Sequence, residues 1–493
     1  MLYDVIVVGA GIGGLTAASI LSAQGYSILI LEKQNLLGGN CNYFEEEGIR
    51  FEYAVHQIAG SCKHLIEYLG KYGIELKLIK IDSLIDIYYP DKVFHISGGY
   101  DNFLEMLNKF KNDKQNKKFI EFLKNVNTIV EHYEWIQYIN KTSAPEFPLK
   151  FALRGATSLY KFWESRNMTA TGFMQRFFTE IADNEIAYFL SPYIGLPPSR
   201  SSATLNICAN ASYIGYGSFY PQGGSRALTT TFYNAIKKVG VDIRLDCEVI
   251  QVKKSDDKFI VLTGDEQIFM SRAIILNAPV KNFFEKIYAG EEAGTYKKKL
   301  LNLKISLAPI RIFCIYEGDV SALNKFGYES FIYDTRSIED YFSGVEDGRF
   351  YGFSLLFPFK IDTTNHNENK YPVVITTLSK YMDCLEFENK KDDILGQIFD
   401  ILDKYTNNLS KKLKIVSILT PDRLRNRTNV DRGAMYGWEC SPAQTFFNRL
   451  GHRTDIAGIF LTGHWTRPAN GISSVMRSGI NCAKYVKKYI KKS

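Results

Sequence analysis

Asp4-Val-Ile-Val-Val8-Gly9-Ala10-Gly11-Ile12-Gly13-Gly14, an apolar helix-forming run behind it, and a second β-rich run ending at Leu31-Glu32 decide the fold. A strand that enters a glycine-rich turn and leaves it as a helix is the unit that cradles a nucleotide pyrophosphate. Gly9 permits the tight turn, Gly11 lets the backbone approach the phosphates, and Gly14 lets the helix pack closely on the strand. The helix start offers free N–H groups and partial positive charge to the anion. Glu32 stands at the spacing of an acid that hydrogen-bonds a ribose hydroxyl, and its charge would repel a 2′-phosphate, which disfavours NADP. Strand, turn, helix, strand and acid in this order predict a Rossmann-like α/β domain holding a dinucleotide, with Gly13 and Lys33 as further contacts.

The rest of the chain sets bounds. Its 493 residues exceed one ordinary core, so two or three interleaved lobes are expected. With 45% hydrophobic and 23% charged residues it buries a sizeable interior. The 14% aromatic content fits either thick cores or a long pocket for an apolar ligand. Cys41, Cys62, Cys208, Cys247, Cys314, Cys384, Cys440 and Cys482 are scattered, with no CxxC pair or Cys/His cluster. That spacing argues against a metal site and a disulfide framework and suits a reducing cytoplasm. The N-terminal apolar run lacks a basic leader and is broken by glycines, so it is not read as a signal peptide. No run nears the roughly 18 apolar residues of a membrane span. The net charge of +7 is a mild excess, not the signature of a nucleic-acid partner. Lys109–Lys118 and Tyr485–Ser493 mix lysines with aromatic and aliphatic residues, the composition of peripheral membrane segments and equally of solvated faces.

Along the chain, the βαβ pattern ends near residue 35 and a loop-rich crossing near residue 60. Helical stretches follow, broken by Pro145, Pro148 and Pro197-Pro198, and 119–190 is dense in aromatics and Leu. Gly223-Gly224 opens a helix, and Glu248-Val249 begins a strand. Alternating runs at Ser306–Tyr316, Phe350–Phe357 and Tyr371–Leu378 predict a mostly antiparallel sheet, with an amphipathic helix at Lys391–Tyr405 packed on it.

Several segments carry a family resemblance. Gly38-Gly39-Asn40 resembles the second glycine pair of amine oxidase-like flavoproteins. Gly458–His464, Ala469-Asn470-Gly471-Ile472 and Ser478–Ala483 are similar to that superfamily's closing FAD segment. Gly48–Gly60, with Glu52 and His56, resembles the loop that lines the flavin. Thr420-Pro421-Asp422 and Gly433-Ala434-Met435-Tyr436-Gly437 are similar to late motifs of carotenoid isomerases and retinol saturases. The chain thus resembles the phytoene desaturase, carotenoid isomerase and retinol saturase group over nearly its whole length.

The resemblance implies FAD as cofactor and hydride transfer at flavin N5 to or from a C–C or C=C bond of a hydrophobic polyene or isoprenoid-like substrate. It implies a discontinuous FAD domain over 1–60, 216–290 and 426–493. A helical cap with part of the substrate domain spans 61–215, and a substrate domain with antiparallel sheet spans 291–425. It adds Val249, Asn277, Ala278, Gly463, His464, Gly471, Ile472 and Val475 to the cofactor contacts and leaves His56 as the acid/base or flavin-polarising candidate. Glu52 is expected to orient its loop. Trp465 and Arg467 depart from the small-residue pattern of polyene desaturases, with Arg467 a candidate for balancing reduced flavin or binding a carboxylate. A flavin amine oxidase and a GDP-dissociation-inhibitor-like binding protein remain alternatives on the same scaffold.

Overall fold

The computed structural model describes residues 2–54, 56–109, 113–134, 149–178 and 186–492, and the breaks expected at Pro145 and Pro148, Val55, Ser493 and residues 110–112 of the first basic run lie outside them. β1 (Leu2–Val8) is buried on both faces, with Val5, Ile6 and Val7 fully covered, as its unbroken apolar run requires of a central parallel strand. It pairs in parallel with β2 (Ile28–Leu31) on one side and strand Ile268–Leu276 on the other. Strand Asp242–Arg244 extends the parallel sheet beyond β2. Ile268–Leu276 forks. Its first half pairs antiparallel with Lys258–Thr263, which in turn pairs with Val249–Ser255, while its second half pairs in parallel with Ile459–Leu461. Residues from the two ends of the chain therefore share one sheet.

α1 (Ile12–Ser22) is buried along its whole length. Small residues suit that position, and its hydroxyls are satisfied internally: Thr16 Oγ1 donates to Ile12 O at 2.7 Å and Ser19 Oγ to Leu15 O at 2.8 Å. The C-terminal helix Ile472–Ile490 lies against it.

The second large sheet runs Leu413–Leu419, Ala308–Glu317, Lys370–Ser379, Gly352–Leu356, Glu329–Tyr333, Ser83–Tyr88, Val93–Ser97 in spatial order. All its pairs are antiparallel except Glu329–Tyr333 with Ser83–Tyr88. Helix Cys384–Thr406 covers one face, where Ile394, Ile398 and Leu402 meet Ile312, Ile332 and Ile375. Strand alternation sends Glu329, Phe331 and Tyr333 to the other face.

Helices Tyr100–Asn108, Asp113–Glu134, Leu149–Glu164 and Ala203–Tyr216 stand at the far end of that face. Phe119, Phe122, Phe173, Phe177 and Phe178 pack ring on ring there. Much of the aromatic density of 119–190 is thus core.

Candidate active site

One cavity begins at the glycine turn. Gly9 sits at φ +94° directly after β1, and its N–H donates to Leu31 O at 2.8 Å. A β-carbon at Gly13 would lie 2.8 Å from Gly463 N and 2.9 Å from Asn277 Oδ1, so three distant segments converge on backbone that only glycine permits. Asn277 Nδ2 donates to Gly9 O at 3.2 Å. Glu32 is 6% exposed; its Oε2 accepts from Ala10 N–H at 2.7 Å and its Oε1 from Gln34 N–H at 2.9 Å. Burial nonetheless raises its pKa.

Gly9, Gly11, Gly13, Glu32, Lys33, Gly38, Gly39, Asn40, Val249, Asn277, Ala278, Gly463, His464, Gly471, Ile472 and Val475 all line this cavity. Gly14 lies off it, its missing β-carbon directed at Gly9 O and Val7, which is the helix-on-strand contact its spacing predicts. The Lys33 ammonium donates to Asn429 Oδ1, on the same cavity wall, at 2.8 Å and to Asn426 O at 3.1 Å.

The residues fit a flavin dinucleotide. Asn40 Oδ1 and Arg427 Nη1 are buried beside the glycine pair without a partner among the described residues. Arg427 Nη2 meanwhile donates to Gly39 O at 3.1 Å, and its guanidinium lies 3.6 Å over the Tyr53 ring. A buried guanidinium N–H with nothing to donate to suits an anionic neighbour, and Arg427 stands directly behind the cavity wall formed by Gly39 and Thr428. Sequence reasoning had no motif for Arg427, which follows the Thr420-Pro421 segment by a few residues.

The closing segment is held by Arg449. This fully buried guanidinium donates to the carbonyls of Tyr436, Gln444 and His464. Burial, and then the Arg449 charge, push His464 down to about 3, so it stands neutral on the cavity wall. Trp465 lines the same wall, and its carbonyl accepts from Trp438 Nε1 at 3.1 Å. Arg467 does not reach this cavity: Nε donates to Arg449 O at 3.0 Å and Nη2 to Phe447 O, so the expected role beside the flavin is withdrawn. Glu52 also stays outside, accepting from Tyr220 OH at 3.2 Å and from Ser225 N–H at the start of helix Gly224–Lys238.

The opposite wall comes from the second sheet and the helices packed beside it. Tyr193, Tyr213, Phe331, Tyr333, Tyr341 and Met435 make it largely apolar and aromatic. A polar cluster is set into it. His56 Nδ1 faces Ala54 O at 2.8 Å, with Arg311 Nη2 3.5 Å from the same nitrogen. Nε2 lies 3.2 Å from Glu329 Oε2 without the alignment of a hydrogen bond. Glu329 is 1% exposed and its Oε2 also accepts from Gln57 Nε2 at 3.1 Å and from Tyr193 OH. Arg311, buried on strand Ala308–Glu317 of the same sheet, donates to Thr376 Oγ1 at 2.9 Å and to Tyr53 O. Tyr328 OH donates to His56 O at 2.7 Å. Glu329, Arg311 and Tyr193 were not legible as site residues. Their signal, in retrospect, is a charge inside an apolar strand: Arg311 within Pro309–Tyr316 and Glu329 before Ser330–Tyr333.

Comparison with known proteins follows the same lines. The family model described as flavin containing amine oxidoreductase matches residues 12–487. All-trans-retinol 13,14-reductase of Danio rerio is 22% identical over 484 residues, covering 88% of this chain and 77% of that protein. Prolycopene isomerase of Arabidopsis thaliana is 24% identical over 513 residues, covering 98% and 82%. Among solved structures, an oxidoreductase from Methanosarcina mazei superposes with a TM-score of 0.64 over 98% of this chain and 99% of its own, at 14% identity.

Proposed function

Because this chain belongs to the flavin containing amine oxidoreductase family, and is on that account a flavin-dependent oxidoreductase, we propose that it acts on a C–C or C=C bond of an elongated hydrophobic molecule of the polyene or isoprenoid type. The single observation that supports this is the continuity of one cavity from the glycine cradle to the aromatic wall of the second sheet. The relatives named for a retinoid and a carotene act on molecules of that shape.

Bound FAD supplies the hydride chemistry, at its N5. The cradle of Gly9, Gly11, Gly13, Glu32, Gly39, Asn40 and Gly463 would hold it, with Arg427 and Asn40 offering the buried donor and acceptor noted above. The rings of Tyr193, Phe331, Tyr333 and Tyr341 position an apolar chain and exclude water. His56 and Glu329 manage the proton. His56 Nε2 and Glu329 Oε2 lie 3.2 Å apart, close enough to pass a proton between them, and Tyr193 OH, donating to the same oxygen, extends that pair toward the cavity.

Peripheral contact with a membrane belongs to the same reading. Among the described residues no helix is long and apolar enough to cross a membrane. Exposed Leu159, Tyr160, Trp163 and Phe447 form an apolar patch, with the Trp163 and Phe447 rings 6.0 Å apart and the Arg166 guanidinium 4.0 Å over Trp163.

The test is to give the purified flavoprotein an all-trans polyene under anaerobic conditions, once oxidised and once reduced with dithionite, and to weigh the products. Product from the reduced form alone with two added hydrogens is saturation, and with unchanged mass it is isomerisation. Product from the oxidised form lighter by two hydrogens is desaturation. A flavin-loaded protein that transforms no polyene in either state overturns the substrate class.

A further inference from the structure

The end of the flavin cavity beside Glu32 is crossed by a segment from late in the chain. Helix Pro421–Thr428 ends there, and Thr428, Asn429 and Val430 line the cavity. The start of this helix is fixed by Thr420, whose hydroxyl accepts from Arg423 N–H at 3.2 Å. The last carbonyls of a helix have no partner within it, and here the residues after the ribose acid supply the donors. Lys33 Nζ donates to Asn426 O at 3.1 Å and Gln34 Nε2 to Arg427 O at 2.7 Å. Asn429 follows in the left-handed region at φ +56°, and its side chain is a bridge: Oδ1 accepts from Lys33 at 2.8 Å while Nδ2 donates to Glu248 Oε1 at 2.9 Å.

The segment is therefore held on two sides. Lys33, Gln34 and the bond from Arg427 to Gly39 O tie it to the chain that follows β2. Glu248 and the pair of Asp431 with Lys281, at 3.2 Å, tie it to the strands and turns across from them. At this end of the cavity Cys247, Val249, Phe283, Ile287 and Val430 belong to one apolar cluster. An apolar slot next to a ribose-reading acid is the seat of a planar base.

Building on the flavin-dinucleotide reading of the cradle, we propose that residues 426–431 form a clasp across the adenosine half of FAD. Lys33, Gln34 and Asn429 hold the clasp shut, and it sets how long the protein keeps its cofactor. The base lies in the slot of Val249, Phe283 and Val430 with its ribose at Glu32. It leaves when the bridge from Lys33 through Asn429 to Glu248 parts.

The experiment follows FAD release from the flavin-loaded protein as the rise in flavin fluorescence on dilution. Asn429→Gly keeps the left-handed backbone and removes only the bridging side chain, whereas Lys33→Met removes both bonds of the ammonium. Each variant should release FAD about tenfold or more faster than the wild type, with the visible spectrum of the bound flavin unchanged. Tyr381→Phe is the control, because its hydroxyl holds the same helix from outside the cavity, donating to Asp422 Oδ1 at 2.9 Å and accepting from Arg425 Nη1 at 2.6 Å. Its release rate should stay within about twofold of the wild type. Equal acceleration in Tyr381→Phe reduces the bonds to general supports of the helix and overturns the inference. Unchanged release in Asn429→Gly and Lys33→Met overturns it as well and leaves the cradle reading standing. A shifted flavin spectrum in either variant places the effect at the ring end and overturns the adenosine assignment. A protein that takes up no FAD on reconstitution overturns both readings.

Discussion

His464 and Glu329 show how burial assigns work to single residues. His464 is held at about 3 against an ordinary 6.5, and His452 at about 4, in both cases by burial first. Between those values and 6.5 the unfolded chain binds protons that the folded chain refuses, so unfolding free energy falls as pH drops. Each histidine contributes a slope of up to about 1.4 kcal/mol per pH unit. Thermal midpoints of the wild type should therefore fall from pH 7 to pH 4.5, and His464→Asn should flatten that fall; an unchanged slope would show that His464 titrates normally. For Glu329, replacement by Gln keeps the shape but removes the carboxylate opposite His56. Turnover should drop by about 10²–10⁴-fold, the range for a lost proton-transfer group, with flavin content and visible spectrum retained. The two residues differ in legibility for a physical reason. His464 and Glu32 sit at fixed spacings from a glycine motif, which is local information. Glu329 meets His56 across 273 positions of chain, and only the pairing of strands brings them together.

At the scale of elements, the sequence was most readable where one strand or helix carries its own periodic signal. The runs read at Ser306–Tyr316, Phe350–Phe357 and Tyr371–Leu378 fall on strands Ala308–Glu317, Gly352–Leu356 and Lys370–Ser379. The helix read from Lys391 begins at Cys384, because Asp383 accepts from Glu386 N–H at 2.9 Å and caps a polar first turn that hydrophobic periodicity does not mark. Glu329–Tyr333 and Leu413–Leu419 were missed; the first is short with a charge at its head, and the second alternates weakly, with half-buried positions on both faces. Packing between helices gives a prediction with a built-in control. A β-carbon on Gly479 would lie 2.5 Å from Gly13 O and 2.6 Å from Thr16 Cβ, whereas one on Gly396, inside helix Cys384–Thr406, meets nothing within 4 Å. Gly479→Ala should cost about 1–3 kcal/mol and lower the bound flavin, since it pushes the C-terminal helix off the glycine turn proposed to hold the phosphates. Gly396→Ala should instead stabilise by about 0.5–1 kcal/mol through helix propensity alone. Calorimetric midpoints of the two variants with opposite signs support this packing account; the same sign for both would refute it.

Across the whole molecule, the site exists because two sheets are locked at a fixed distance, and the lock is polar. Arg311 leaves the second sheet to donate to the carbonyls of Glu52 and Tyr53 on the cofactor side. Arg50 pairs with Asp362, and Arg50 and Asn365 exchange two hydrogen bonds of 2.9 Å. Burial lowers the Arg311 pKa, and Glu329 opposes that shift more than any other neighbour, without a direct ion pair between the two side chains. Where two buried charges compensate each other, removing one costs about 3–5 kcal/mol, while removing both costs far less. Arg311→Met should lower the urea midpoint of the flavin-loaded protein by that order. Arg311→Met/Glu329→Gln should recover most of the loss even though it has two changes, because the stranded carboxylate is gone. If the double variant instead loses the sum of the two single effects, Arg311 acts only as a mechanical brace through Tyr53 and Thr376. If it recovers, Arg311 and Glu329 are electrostatically coupled across the cavity wall, and activity and stability at this position will move together.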